Sequence, residues 1–385
     1  MSVQLFHVGS RHKQRNWGHV YHRNDDPRTR NKNMKESHIS NRVSQAELTD
    51  FTRSVLAAVG VAEEHIEPIA TGLVEADLRG VDSHGVARLE TYVENFEAGG
   101  FATHPNISVS EPSSGVAIID ADAAPGHSVG RQAIEKAIEL AEKNGIGSVF
   151  VSNSNHFGTA AFFTQYAAGK DYIGVASSNV GPDVIPFGGQ RAFLGTNPIS
   201  IAVPTSKPFP VTLDMATSMV AMGKIDHGAR DEGHDIPSDW GVDDEGTPTT
   251  DPNEVAALQP LGGPKGYGLA LMVDLFCGIL TKSRVSPDIT DLYGDFDEPM
   301  GLGHWFMAID VSCLMEPSLF KDAVAAYVDR IKSQPTADGF DEILVPGEPE
   351  ARRKLIHQEE GIPIRQATAD SLERLAERFD IESIT

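Results

Sequence analysis

Between Ile107 and Asp214 the chain alternates short β-rich runs with helical patterns, and this texture narrows the available folds more than any other feature. The runs are Val116 to Asp120, Ser148 to Ser152, Ile173 to Ser177, Ile199 to Val203 and Val211 to Asp214. Helical periodicity interrupts them over Val129 to Asn144 and Gly158 to Lys170, with Gly, Pro and Asn at the joints. This pattern predicts an α/β lobe. The segment ahead of it is helical. Ser44 and Glu47 have capping-box spacing before Leu48, Phe51 and Val55, a second stretch runs from Ala62 to near Gly80, and a third starts close to Ser83 and takes in Leu89, Tyr92 and Phe96. Beyond Gly262 come an apolar helix over Leu269 to Leu280, a strand-like run Trp305 to Val311, and helices near Leu319 to Ile331 and Ala367 to Phe379. Pro346 to Glu350 reads as a loop.

At 385 residues the chain exceeds what one core usually organises, and a prior of roughly 150 residues per domain suggests two lobes. The expected organisation is an extension over 1–33, a helical lobe over 34–106, an α/β lobe over 107–268, and a C-terminal segment 269–385 that completes the helical lobe. Residues 1–33 stand apart, with seven Lys or Arg against two Asp or Glu and little apolar periodicity. They read as disordered or as the product of a start site placed too early, with Met34 as the alternative start. The net charge of -23 repels phosphate backbones and anionic lipid, so neither nucleic acid nor membrane is an expected partner. The acidic residues are dispersed, as a solvated surface or an adaptation to high salt would have them. Two cysteines, Cys277 and Cys313, form no disulfide framework or zinc motif, which fits a reducing cytoplasm.

Five stretches could carry chemistry. In Asp82-Ser-His-Gly-Val-Ala-Arg88, a helix would put His84 and Arg88 on one face, where a proton-exchanging imidazole and a bidentate guanidinium suit a hydroxy acid. An exposed helix face carries the same spacing. His156 follows an apolar strand and precedes a helix, a junction that favours functional side chains and capping residues alike. Pro186 to Pro198 mixes glycines with polar residues, Leu213 to Ser218 ends a strand in a polar turn, and Gly262-Gly-Pro-Lys265-Gly-Tyr-Gly268 sets a basic residue in a glycine loop. No GxGxxG occurs, so the dinucleotide fingerprint is missing; HExxH and EF-hand spacings are missing too, and no metal site is expected.

Together these stretches resemble the malate/L-lactate dehydrogenase family, which includes ureidoglycolate, sulfolactate and diketogulonate oxidoreductases. The likeness runs from about Val43 to the C-terminus. It rests on Ser83-His-Gly-Val-Ala-Arg88, Asn155-His156, Pro186-Phe-Gly-Gly189, Gly195-Thr-Asn-Pro198, Asp214-Met-Ala216, Gly263-Pro-Lys-Gly-Tyr-Gly268 and Gly303-His-Trp-Phe-Met-Ala-Ile-Asp310. The resemblance implies a fold of the α+β type, with a β-rich lobe that binds NAD or NADP without a Rossmann motif and a helical lobe made from both ends of the chain. It implies that His156 takes the hydroxyl proton while His84 and Arg88 orient a small 2-hydroxy or 2-oxo acid; in some members the His84 position is described as the acid. Cofactor contacts would fall on Asp214, Met215, Ala216, Lys265 and Gly266, with Pro346, Gly347 and Glu348 closing the site. A homodimer is implied as well. Ureidoglycolate enzymes carry an Arg where Met300 aligns, so malate, lactate or another short hydroxy acid is favoured. Imine reductases of cyclic amino acids share the scaffold and form the main alternative; a relative that binds ligand without catalysis is the other.

Overall fold

The computed structural model describes residues 39–225 and 233–384, so the expectations for 1–33 and for Met34 lie outside the described residues. The chain enters through β1 (Ile39–Val43), then α1 (Gln45–Ala58), α2 (Glu63–Leu78) and α3 (Leu89–Ala98). The Ser44–Glu47 capping box forms as the spacing predicts, with the Ser44 hydroxyl accepting from the Glu47 amide at 3.2 Å and the Glu47 carboxylate accepting from the Ser44 amide at 3.1 Å.

The middle of the chain supplies β2 (Ser108–Ser113), β3 (Val116–Asp120), α4 (Gly126–Asn144), β4 (Ile146–Ser154), α5 (Ala161–Ala168), β5 (Tyr172–Ser178), β6 (Ile199–Val203) and β7 (Val211–Met215). Three two-residue strands, β8 (Gly241–Val242), β9 (Pro248–Thr249) and β10 (Ala257–Leu258), form a small antiparallel sheet. The remainder adds α6 (Pro264–Asp274), β11 (Leu302–Asp310), α7 (Pro317–Lys332), α8 (Glu348–Glu360), β12 (Ile362–Arg365) and α9 (Gln366–Phe379).

The main sheet has seven strands in the order β2-β3-β4-β11-β5-β6-β7, with β3 and β4 parallel and every other neighbour antiparallel. This is the mixed α/β fold the sequence predicts. β11, although it lies late in the chain, occupies the sheet centre. Its burial is nearly continuous along the strand, as expected for a strand covered on both faces. One core packs α4 and α5 onto the sheet through Val129, Ile134, Phe163, Val149 and Phe306. A second core joins both ends of the chain: Leu48, Ile69, Leu73, Leu89 and Tyr92 meet Ile362, Leu372 and Leu375. β1 pairs antiparallel with β12 along the same seam.

Two predicted elements come out differently. Pro346 to Glu350 is a loop only as far as Gly347, since α8 begins at Glu348; Gly347 stands at φ +85, a conformation glycine adopts without strain, and starts the helix there. The apolar helix predicted through Leu280 is α6 only to Asp274, after which Leu275–Ile279 widens into a π-turn.

Candidate active site

His84 and Arg88 do not share a helix. Asp82–His84 and Val86–Arg88 are single 3-10 turns, separated by Gly85 in an extended conformation, and α3 starts only at Leu89. The cause is Asp77 on the last turn of α2. Its buried carboxylate accepts the Val86 amide at 2.8 Å and occupies the space where a Cβ on Gly85 would stand, 1.9 Å from the nearest carboxylate oxygen. Burial raises the Asp77 carboxyl well above its usual range. The turn that presents His84 is therefore tied down from behind.

His156 is fixed from the other side. Asn155, fully buried, donates to the Ala123 carbonyl at 2.8 Å and accepts the Met300 amide at 2.9 Å, so the residue before His156 ties two distant segments together. The His156 carbonyl accepts from Gly126 at the start of α4 (3.2 Å), where a side chain would strike the Asn155 and His156 carbonyls. His156 is thus held at the end of β4, as the sequence predicts.

The two loops bring their imidazoles together, ring centroids 5.6 Å apart. Both are half-buried. Arg88 lies within electrostatic reach of both, while its Nε donates to the Ser83 carbonyl (2.7 Å) and its guanidinium sits 4.9 Å from the Tyr293 ring centre. The Ser83 hydroxyl meets Nδ1 of His84 at 3.0 Å, and the Tyr92 hydroxyl meets Nδ1 of His156 at 2.6 Å. Protein mass around the cleft, and then the Arg88 charge, push His84 down to about 4; burial, followed by the His84 and Arg88 charges, pushes His156 well below the ordinary imidazole value. Two neutral imidazoles beside a guanidinium can exchange a proton with, and hold, a small carboxylate-bearing substrate.

The residues expected for a cofactor gather around β7. Asp214, next to last in the strand, has its surface open to solvent, its Oδ2 accepting the Ala161 amide at 3.3 Å. Crowding by surrounding atoms outweighs the nearby Arg79 charge and raises its carboxyl to about 6. Met215 and Ala216 follow, half-buried. Lys265 and Gly266, expected in a glycine loop, lie instead on the first turn of α6, which Gly263 opens; Gly266 packs against Thr217, whose carbonyl accepts the Leu261 amide at 2.8 Å, so this turn adjoins the Asp214-Met-Ala216 segment. On the other edge the Thr212 amide donates to the Pro346 carbonyl at 3.0 Å, and a Cβ on Gly347 would lie 2.9 Å from that of Thr212. Lys265 is exposed. Glu348 is buried and paired with Lys332 (2.5 Å) and Arg352 (2.6 Å), so its carboxylate braces the start of α8.

In the sequence Tyr92 reads as one of the apolar residues of a helix, and Asp77 carries no functional signal. Tyr92 follows Arg88 by four positions, a spacing that could have marked it as facing the same ligand; nothing local marks Asp77.

The histidine pair and arginine suit an oxidoreductase that acts on the CH–OH group of small hydroxy acids, and the family and relatives this chain matches are of that class. Residues 43–373 match the malate/L-lactate dehydrogenase family model. The chain belongs to that family. Malate dehydrogenase from Pyrococcus horikoshii is 39% identical over 358 residues, which cover 89% of this chain and 97% of that protein. Its solved structure superposes with a TM-score of 0.82 at 37% identity, covering 90% of this chain and 97% of that one. Ureidoglycolate dehydrogenase (NAD(+)) from Escherichia coli K12 is 34% identical over 323 residues, 84% of this chain and 92% of the other. The structure of delta1-piperideine-2-carboxylate reductase from Pseudomonas syringae pvar. tomato gives a TM-score of 0.79 at 25% identity, over 88% of this chain and 100% of that one.

Proposed function

We propose that the protein interconverts a short 2-hydroxy acid of malate or lactate type and its 2-oxo acid with NAD or NADP, and that His84, Arg88 and His156 handle the substrate. The observation that carries this reading is the imidazole pair, centroids 5.6 Å apart, with Arg88 beside both rings. Arg88 binds the carboxylate through its guanidinium fork. His156 accepts the hydroxyl proton at Nε2, in the tautomer whose Nδ1–H donates to the Tyr92 hydroxyl 2.6 Å away. His84 completes the wall around the reacting carbon, and its neutral ring can donate to or accept from the substrate oxygen. With the carboxylate clamped, the base meets the hydroxyl in one geometry.

The residues around β7 fit a nicotinamide dinucleotide: the solvent-open Asp214 offers acceptors for ribose hydroxyls, and Gly347 brings the α8 start against the strand without a side chain between them. Asp214, Met215, Ala216, Lys265 and Gly266 would hold it, with Pro346, Gly347 and Glu348 at the far edge. A nicotinamide held there would supply the acceptor for the hydride of the carbinol carbon. Met300 is buried and its amide is spent on Asn155, so position 300 offers no cation for a second polar group of the ureidoglycolate kind.

A second copy of the chain fits the apolar face formed by Leu269, Met272, Leu275, Phe276, Ile279 and Leu280, all exposed and spaced to share one side of α6 and its π-turn. Such a homodimer would place the exposed Lys265, on the first turn of α6, at the subunit boundary. Sedimentation of the wild type as a dimer, and of a Leu275→Glu, Ile279→Glu variant as a monomer, tests this arrangement.

Supplying reduced cofactor with oxaloacetate, pyruvate and a cyclic imine carboxylate, and following absorbance of the reduced nicotinamide, tests the activity. Turnover with an oxo acid is expected. Turnover of the imine alone would replace the reading with an imine reductase; cofactor binding without turnover of any of the three would make the protein a ligand-binding relative.

A further inference from the structure

His304 stands near the start of β11, at the centre of the main sheet, and none of its surface is exposed. A ring so enclosed touches neither substrate nor solvent. Its two nitrogens nevertheless span three strands: Nδ1 meets the Ser178 hydroxyl at the end of β5 and Nε2 the Ser154 hydroxyl at the end of β4, each at 2.8 Å. Both serines are buried as well. The register of β11 against β4 shifts between Leu302 and His304, which leaves Ser154 paired with Leu302 and within reach of the imidazole. The Ser178 hydroxyl has one proton and lies 2.9 Å from the Asn179 carbonyl. It satisfies that carbonyl only in the tautomer whose Nδ1–H donates to it, and Nε2 then accepts from Ser154. Burial holds the ring neutral, down to about 3, although the Asn155 and Gly303 carbonyls favour its charged form.

The Ser178 end of this bridge is anchored. Asn179 accepts the Gly303 amide at 3.0 Å and donates to the Asp274 carboxylate (3.1 Å) and to the Arg284 carbonyl (2.7 Å). The Ser154 end leads to the substrate. Ser154 lies two residues before His156, and Phe157, immediately after it, stacks on the His304 ring with 4.8 Å between centres and 11° between planes. One imidazole therefore grips the chain on both sides of His156. Beside Phe157 and Phe306 an apolar side chain would spare the cost of burying two ring nitrogens. What the imidazole adds is a fixed geometry, since a buried polar network with every member bonded rigidifies the core around it.

We propose that His304 is a positioning residue for His156: its bond to Ser154 and its stack on Phe157 hold residues 154–157 so that the His156 imidazole meets the substrate oxygen in one orientation. The proposal rests on the reading in which His156 takes the hydroxyl proton. It gives His304 no contact with the substrate, whose carboxylate stays with Arg88 on a separate turn.

Variants of the full chain separate the two ends of the bridge. A glutamine carries its amide where Nε2 stands, and an asparagine where Nδ1 stands. His304→Gln thus keeps the Ser154 bond and is expected to retain most of kcat. His304→Asn, which keeps only the Ser178 bond, and His304→Leu, which keeps neither, should lose kcat by up to about 100-fold, the cost of a misplacement on the order of 1 Å. KM for the oxo acid should hold in all three, because the Arg88 clamp is untouched. Equal kcat in His304→Gln and His304→Asn, or wild-type kcat in a folded His304→Leu, overturns the proposal. Should His304→Leu not fold, Ser154→Ala decides, since it removes only the bonded hydroxyl: kcat is expected to fall at constant KM, and wild-type kcat overturns the link. Nitrogen NMR of labelled histidines reads the same link without turnover. The His156 signals, identified by their loss in His156→Ala, should move in His304→Leu and Ser154→Ala and keep their place in His304→Gln; signals that stay put in every variant overturn the positioning. A wild type that turns over no substrate, but whose His156 signals move in this way, would overturn the dehydrogenase reading and leave the positioning intact.

Discussion

The Tyr92 hydroxyl stands 2.6 Å from Nδ1 of His156, at the place where many catalytic histidines meet a carboxylate. Tyr92 is fully buried, with its ring against Phe101 and His127, and burial raises its own ionisation above the ordinary value, so it stays a neutral phenol. In the tautomer that leaves Nε2 free to act as base, this neutral oxygen accepts the Nδ1 proton without locking a charge onto the ring. Tyr92→Phe keeps the packing and removes only that oxygen. The variant is expected to fold normally, to lose about tenfold in kcat as one hydrogen bond's worth of orientation disappears, and to hold KM for the hydroxy acid. Loss of the acceptor disfavours the imidazolium, so the pH limb of oxo-acid reduction should move to lower pH. An unchanged rate and profile would mean that packing alone orients His156.

Both histidines are held neutral by burial, His84 with a value near 4 and His156 well below the ordinary imidazole range. A base that is already deprotonated needs no alkaline medium. Oxidation measured as kcat/KM should therefore stay level as pH falls through 6.5, with its acid limb below that point. His156→Ala should lower kcat by roughly 10²- to 10⁴-fold, the usual contribution of a general base, and should abolish the limb. If His84→Ala abolishes it and His156→Ala leaves it in place, their roles are reversed.

How much of this arrangement the sequence disclosed depended on the range of the forces involved. β6 appears with its predicted limits, Ile199 to Val203, because apolar alternation and flanking turns are local signals. The α8 start was missed because a Gly at φ +85 can end a strand, make a turn or open a helix, and only the close approach to Thr212 decides among these. Spacing alone links His84 and Arg88 through a helix that the structure does not form. Their proximity survives although that helix is absent, because a carboxylate on the preceding helix imposes the turn. β1 and β12 were invisible for the same reason: each is a short strand that exists only because the other, more than three hundred residues away, pairs with it.

Gly85 is expected to tolerate nothing larger. The obstruction is the Asp77 carboxylate rather than backbone conformation, since φ at Gly85 is -92. Gly85→Ala must displace either Asp77 or the turn that bears His84, at about 1–3 kcal/mol for an overpacked site. Calorimetric melting should show a lowered Tm, and activity should fall further than the lost stability explains, because His84 moves with its turn. Asp77→Asn keeps an acceptor for Val86 and cannot ionise. The raised carboxyl of Asp77 withdraws stability as pH climbs from the unfolded value, so the Asn variant should match or exceed the wild-type Tm at neutral pH. A marked loss there would show that the negative charge itself is required.

His127 offers the cleanest reading of acid stability. It is fully buried between Gly72 and Gly158, neither ring nitrogen has a hydrogen-bond partner among the described residues, and burial pushes it down to about 3. The unfolded chain protonates this ring below about 6.5, while the folded chain leaves it neutral until near 3. Its contribution to stability is therefore present above the unfolded value and lost as pH falls. At pH 5 the loss is about 2 kcal/mol, from 1.36 kcal/mol per unit over the intervening interval. His127→Leu removes the titration without breaking a hydrogen bond; a core swap of similar volume costs less than about 1.5 kcal/mol. Urea unfolding at pH 7.5 should find the variant slightly less stable than wild type, and at pH 5 it should find the difference closed or reversed. A gap of equal size at both pH values would show that His127 takes up its proton in the folded chain as readily as in the unfolded one.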